Sequence, residues 1–243
     1  DQFFAELYGR VTGVANGKAG SMHLSNPAYG HLGSSAVVAT CIPIAVGAAF
    51  ANKQKKNGKI VAVFFGEGAM EEGVFWESVN AASVMQLPVI FVCEDNGLAV
   101  HTPASRRQGY HSIDTVIGQF KASVFQSEST DAEALYTLAR QAIEAIQKTG
   151  APAFMHLKYY RYLEHVGISK DFNAGYRPES EFLEWQKRDP VLLMRQRLGD
   201  AGAVKEDIEA LELAIDRQIQ EGVLRAKNAP RPAARELYTH IFS

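Results

Sequence analysis

Cysteine is scarce in this 243-residue chain: only Cys41 and Cys93 occur, each inside an apolar run. Neither has a second Cys or a His at metal-site spacing, which argues against a thiolate metal centre. Two buried, reduced thiols are expected instead of a disulfide, as in a cytoplasmic protein. An excess of one charge is also missing. The 25 basic and 27 acidic side chains leave a net charge of −2, so neither nucleic acid nor an anionic membrane is an expected partner. A long, clean apolar run is lacking too. The best candidate, Ala36 to Ala51, is short and interrupted by Pro43, and no membrane span is expected from it. There is no internal repeat and no low-complexity tract. The remaining composition, 47% hydrophobic and 21% charged, is that of a globular chain able to bury a core. The chain starts at Asp1, not Met, within a helical pattern and without a signal or transit segment. Residues are expected to precede it in the full protein.

The most organised stretch is Lys59 to Asn96. An apolar run, Ile60 to Phe65, stops at Gly66-Glu67-Gly68. Apolar residues then recur at helical spacing (Val74, Phe75, Val79, Ala82, Met85), and a second run, Val89 to Cys93, ends in Glu94-Asp95-Asn96. This is a strand–turn–helix–strand pattern. A third strand is expected at Pro152 to Tyr160 and a weaker one at Ala122 to Phe125. Helices are expected at Ala36 to Lys56, apolar on nearly all sides and starting near Ile42, and at Ser112 to Phe120. Another runs from a Thr130/Glu133 capping box to Lys148, closed by Gly150. From Glu179 onward the pattern is helical, ending in a proline-rich tail that is expected to dock. Alternation with short connections predicts an α/β fold: a parallel sheet flanked by helices, with a helical carboxyl-terminal extension. The expected division is residues 1–178 and 179–243. If the strands are neighbours, the polar turns at Gly66-Glu67-Gly68, Glu94-Asp95-Asn96 and Arg161 to His165 share the carboxyl rim, where such sheets bind ligands.

Gly66-Glu67-Gly68-Ala69 is not a P-loop, because no Gly-Lys-Ser/Thr follows, and its third glycine, Gly73, is misplaced for a dinucleotide fingerprint. A tight turn is the plain reading of it alone. Asn96 alters the weighting. A glycine-flanked acid, a helix, a strand and then an amide 29 residues after Glu67 form a rarer combination suited to holding a divalent cation and a phosphate.

That combination resembles the thiamine diphosphate motif, and the surrounding text is similar to the alpha subunit of thiamine-diphosphate-dependent 2-oxo acid dehydrogenases (the pyruvate, branched-chain and acetoin enzymes). GKAGSMHL, FFGEGAMEEGVFWESVNAASVMQLPVIFVCEDN and YYRYLEH carry the likeness, which covers almost the whole chain. The resemblance implies thiamine diphosphate and Mg²⁺ as cofactors. Glu67, Asn96 and the carbonyl of Leu98 would hold the metal. Gly66, Gly68 and Ala69 would lie by the diphosphate, Ala36 and Val38 along the aminopyrimidine, and His165 near both the reacting carbon and the diphosphate. It implies a beta-type partner supplying the pyrimidine half in an alpha2beta2 heterotetramer, with no activity from the isolated chain. The substrate would be a small 2-oxo acid, decarboxylated, with the acyl group passed to the lipoyl arm of an acyltransferase or to another acceptor. A non-oxidative, transketolase-like carboligase and a non-catalytic paralogue are the alternatives.

Several positions depart from the pattern. Glu67 replaces the usual Asp, Asp95 stands where Asn is common and adds charge near the site, and Leu163 replaces a His. Ser34-Ser35-Ala36 has fewer glycines than usual, and the expected Tyr-Arg pair would fall before Asp1. Other polar residues read more plainly. Glu71 and Glu72 suit a first helical turn, and Glu77 is open between a bond to a neighbouring turn and solvent. His23, His31, His101 and His111 suit solvated loops, and His156 a structural place in a strand. Arg106 and Arg107 either order a loop over the site or are exposed.

Overall fold

The computed structural model describes residues 1–239. Its contacts divide the chain into two units, Asp1–Val37 with Gly199–Ser243, and Val38–Leu198.

The second unit contains the sheet. β1 (Val61–Gly66), β2 (Val89–Asp95), β5 (Ser123–Ser127) and β6 (Ala153–Lys158) form a four-stranded parallel sheet in the order β1-β2-β6-β5. A two-stranded antiparallel hairpin, β3 (Leu98–Ala99) and β4 (Thr102–Pro103), follows β2. The helices of this unit are α2 (Cys41–Lys55), α3 (Gly73–Met85), α4 (Ile113–Ile117), α5 (Ala132–Thr149) and α6 (Glu179–Gln186). α7 (Pro190–Asp200) spans the junction between the units in sequence.

β2 lies inside the sheet and is apolar at every position to Cys93 because both of its faces are covered. Val89, Phe91 and Cys93 join Ile42, Val46, Phe75, Val79 and Ile117 in one core, under α2, α3 and α4. Ile90 and Val92 join Ala142, Ile146 and Met155 in a second core, under α5. β1 is an edge strand, and its alternation is visible: Val63 and Phe65 are buried while Phe64 is 63% exposed.

Three expectations change. α2 is not apolar-buried all round: Ile42, Ala45, Val46 and Ala49 face the core, whereas Ile44 and Phe50 are exposed. Its start agrees with Pro43 in the first turn, where the missing N–H is harmless. α5 is capped by Asp131, whose carboxylate accepts the Ala134 N–H at 2.9 Å. Thr130 instead donates its hydroxyl to the Arg188 carbonyl at 2.9 Å, so no Thr130/Glu133 box forms. Gly150 ends α5 in a left-handed conformation (φ 72°), as a helix-stopping glycine should. Cys41 is only half-buried, while Cys93 is buried; both are free thiols.

The first unit pairs α1 (Gln2–Leu7) with α8 (Lys205–Asn228). The buried Glu6 carboxylate accepts the N–H groups of Ala15 and Gly17 at 2.9 Å and of Ala19 at 2.6 Å, which orders the loop after α1. Burial favours its neutral form, but those backbone donors outweigh burial and hold its carboxyl below the ordinary carboxylate value. Within this unit the tail docks on the same loop: Val11 N–H donates to the Pro230 carbonyl and Lys18 Nζ to the Glu236 carbonyl. Residues 240–243 of the tail lie outside the described residues. Among the described residues, no helix is long and apolar enough to cross a membrane.

Candidate functional site

The parallel pairing places the ends of β1, β2 and β6 side by side. Gly66 is opposite Glu94, and Asp95 is opposite Lys158. The turn after β1 is a single 3-10 segment, Glu67–Glu71, and α3 begins only at Gly73. Glu71 therefore belongs to this turn and Glu72 is the N-cap of α3, which corrects the expectation that both lie in the first turn of the helix. The turn packs against β3. Gly68 makes that approach possible: a Cβ there would lie 2.9 Å from the Ala99 Cβ. Glu67 is 2% exposed and Ala69 is buried, so the chain turns its acid inward at the strand end.

Asn96 and Leu98 sit on the neighbouring turn. The Asn96 side-chain oxygen accepts the Leu98 N–H at 2.9 Å, and its amide nitrogen donates to the Tyr159 hydroxyl at 3.0 Å. These two bonds fix the amide orientation, with the oxygen towards β3 and the nitrogen towards the end of β6. The turns carrying Glu67 and Asn96–Leu98 are thus brought together on one rim.

Arg107 joins them. Its Nη2 donates to Glu67 Oε1 at 2.7 Å, Nη1 bonds Glu71, and Nε donates to the Thr102 carbonyl at 2.9 Å. The two readings left open for Arg107 are resolved: it orders the hairpin and the acidic turn, while Arg106 is exposed. Burial, followed by the neighbouring Asp95 charge, raises the Glu67 carboxyl above its ordinary value; Arg107 opposes both.

Asp95 does not add free charge to the site. Its Oδ2 meets His156 Nε2 at 2.8 Å and also bonds Lys158 Nζ, and its Oδ1 accepts the Gly97 N–H at 2.7 Å. His156 Nδ1 in turn lies 3.0 Å from Asp114 Oδ2 on α4. His156 is structural, as expected of a strand position, but its partners were not foreseen. The Asp95, His156 and Asp114 chain brackets the base of the Asn96 turn from inside the fold.

His165 lies in the loop after β6 and is exposed. Arg161 Nη1 stands 3.4 Å from His165 Nδ1 and donates to the Val100 carbonyl, at the tip of the β3–β4 hairpin, at 3.1 Å. Arg161 Nη2 donates to the Tyr176 hydroxyl at 2.6 Å, and His101 stacks on the Tyr176 ring with centroids 4.4 Å apart. Arg177, 4% exposed, holds the same loop by donating to the carbonyls of Arg161 and Leu163 and to Asp171. This scaffold escaped the reading of the sequence. The tyrosines between 159 and 177, with Arg161, Asp171 and Arg177 among them, are its visible sign in the sequence.

Of the remaining candidates, Val38 is exposed at the start of the sheet unit, and Ala36 is exposed in the other unit. Glu72 and Glu77 are exposed, as are His23, His101 and His111. His31 is half-buried and lies edge-on to Phe3. Among the described residues, no cluster of three His, Cys, Asp or Glu side chains is arranged as a metal site.

The profile of the family described as dehydrogenase E1 component matches residues 1–235. The chain belongs to this family. Relatives support the same conclusion. The pyruvate dehydrogenase E1 component subunit alpha of Rickettsia conorii is 33% identical over 239 residues, covering 98% of this chain and 72% of that protein. The Rickettsia typhi protein of the same description is 34% identical over the same coverage. The mitochondrial protein of that description from Dictyostelium discoideum is 31% identical over 243 residues, all of this chain and 63% of that one. The solved transketolase from Leishmania mexicana overlaps 51% of this chain and 20% of its own, at 20% identity and a TM-score of 0.45, a partial and loose overlap. As a member of the dehydrogenase E1 component family, the chain is an alpha-type subunit of a thiamine-diphosphate-dependent 2-oxo acid dehydrogenase.

Proposed function

We propose that this chain holds the metal and diphosphate of thiamine diphosphate on the rim formed by β1 and β2. The observation that carries this reading is the buried Glu67 carboxylate, in a turn that the side-chain-free Gly68 closes onto Ala99 of β3, on the segment that follows Asn96. The donor chemistry fits Mg²⁺: Glu67, the Asn96 side-chain oxygen and the Leu98 carbonyl are all hard oxygen ligands. Gly66, Gly68 and Ala69 would border the diphosphate, and Val38 would line the aminopyrimidine. Residues 1–178 carry this binding function, and 179–243 form a helical extension against the domain or a partner. The free thiols Cys41 and Cys93 suit a cytoplasmic setting.

The bound cofactor supplies an electron sink for decarboxylation, which no side chain can provide. The residues of this chain bind, orient and move protons. Glu67 and Asn96 fix the anchor. Arg161 and Arg177 position the loop of His165, and the His165 imidazole stabilises developing charge or carries a proton at the substrate oxygen. A beta-type subunit completes the pyrimidine half in an alpha2beta2 assembly, and the acyl group passes to a lipoyl arm.

The test is a titration of thiamine diphosphate with Mg²⁺ against the chain assembled with its beta-type partner, followed by carbon dioxide release from 2-oxo acids with an artificial electron acceptor. Saturable binding and acceptor-dependent release are expected. Absence of saturable binding would sink the reading in favour of a non-catalytic paralogue.

A further inference from the structure

Glu67 is the sole acidic member of the proposed metal set, and it already has a cation. The Arg107 guanidinium, with a side chain only 10% exposed, contacts Glu67 Oε1 at 2.7 Å. That position is built, not incidental. The Arg107 N–H and the Gln108 N–H both donate to the Ala104 carbonyl at 2.9 Å, closing the Ala104–Arg106 turn under the side chain. Nε is tied to the Thr102 carbonyl, and Nη1 to Glu71. Glu67 is one methylene longer than the expected Asp, and that length belongs with the guanidinium it reaches. A planar fork of donors and a divalent cation both seek the same carboxylate oxygens. Two cations at that spacing in a poorly solvated pocket repel each other strongly.

We propose that Arg107 is a resident counter-cation of Glu67 that competes with the divalent metal for this carboxylate and must release it when the metal binds. The inference rests on the reading of Glu67 as a metal ligand and adds a control to it. Glu71 is the second anchor. It holds the guanidinium through a different nitrogen, so Arg107 retains a partner after leaving Glu67. The guanidinium is thus shared between an acid that binds metal and an acid that does not.

Mn²⁺ serves as the probe, titrated by electron paramagnetic resonance against the chain assembled with its beta-type partner, at saturating thiamine diphosphate. R107Q is expected to lower the Mn²⁺ Kd about tenfold, within the usual range for coupled sites. E71Q acts in the opposite sense: with its second anchor neutral, Arg107 commits to Glu67, and the Kd is expected to rise about threefold, the size of a partly exposed ion pair. An R107Q Kd that is unchanged or higher overturns the proposal. If R107Q does not fold, E71Q decides, and an unchanged or lower Kd overturns it. Binding of thiamine diphosphate is followed in the same samples by tryptophan fluorescence. Saturable cofactor binding without the predicted Mn²⁺ shifts overturns the counter-cation alone; loss of both Mn²⁺ and cofactor binding in all forms overturns the proposed function as well.

Discussion

His156 Nε2 lies 2.8 Å from Asp95 Oδ2, one residue before Asn96, and both side chains are buried. The opposite ring nitrogen meets Asp114 at 3.0 Å. An imidazole placed between two carboxylates satisfies both only when each nitrogen carries a proton. Replacing His156 with Ala leaves Asp95 in the interior with Lys158 as its remaining charged partner. A loss of about 2–4 kcal/mol is expected, somewhat below that for breaking a fully buried pair. Urea unfolding of wild type and H156A measures it, and a loss below about 0.5 kcal/mol, typical of a surface change, would contradict the assignment.

The same pair predicts a pH profile of stability. Burial favours neutral His156, but Asp95 and Asp114 outweigh burial and raise it above its ordinary 6.5. Its contribution is therefore complete below 6.5 and is lost as pH rises through the raised value. Burial likewise favours neutral Asp95, but the bonds from His156 and Lys158 hold it well below its ordinary 3.8. Its contribution is complete above 3.8 and declines as pH falls towards the lowered value. Unfolding free energies measured across pH should be highest between these limits and fall on both sides. H156A should lose the alkaline decline.

Gly68→Ala adds a Cβ 2.9 Å from the Ala99 Cβ. The turn and the β3–β4 hairpin must separate, at a cost of about 1–3 kcal/mol for overpacking. Because the separation displaces the Glu67 turn from β3, weaker thiamine diphosphate binding is expected. A G68A chain that melts and binds as wild type would show that the close approach is not needed.

His165→Ala should separate binding from chemistry. The residue is exposed, with Arg161 Nη1 3.4 Å from its ring, so stability should change little. Loss of a group that stabilises charge or moves a proton costs about 10²-fold or more in turnover. Acyl transfer should fall by that order while the Kd for thiamine diphosphate stays within about threefold, a change of less than 1 kcal/mol. An equal loss in both would contradict the role.

Arg177→Leu tests the loop scaffold. Arg177 is 4% exposed, with Asp171 at 2.8 Å from its Nε. Removing it takes the guanidinium from Asp171, which keeps the Tyr176 hydroxyl and Arg161, and takes a donor from the Arg161 and Leu163 carbonyls, at about 1–3 kcal/mol if the loop stays packed. A mobile loop avoids that cost but displaces His165. Either increased protease cleavage between 161 and 177 or a marked fall in melting temperature is expected, with turnover falling in both cases.

The βαβ unit was legible because β2 is apolar throughout and α3 keeps its period. Both are local patterns imposed by burial on two sides. The Glu67 and Asn96 turns were legible because strand ends in a parallel sheet face one rim. The cap of α5 was misplaced by one residue, since Thr130 and Asp131 are both good caps and only a distant carbonyl, that of Arg188, draws Thr130 away. The apolar residues on nearly all sides of α2 do not reveal its inner face, because composition cannot tell a core-facing Ile42 from an exposed Ile44.

The sequence by itself determined the parallel sheet and the positions of the polar turns, because these follow from short-range periodicity along the chain, and its motifs carried the resemblance to the family. Only the tertiary structure decided which charges meet. Arg107 reaches back 40 positions to Glu67, and His156 reaches 61 positions to Asp95. Electrostatic partners are chosen by distance in space and by burial, and neither is a property of residues taken in order.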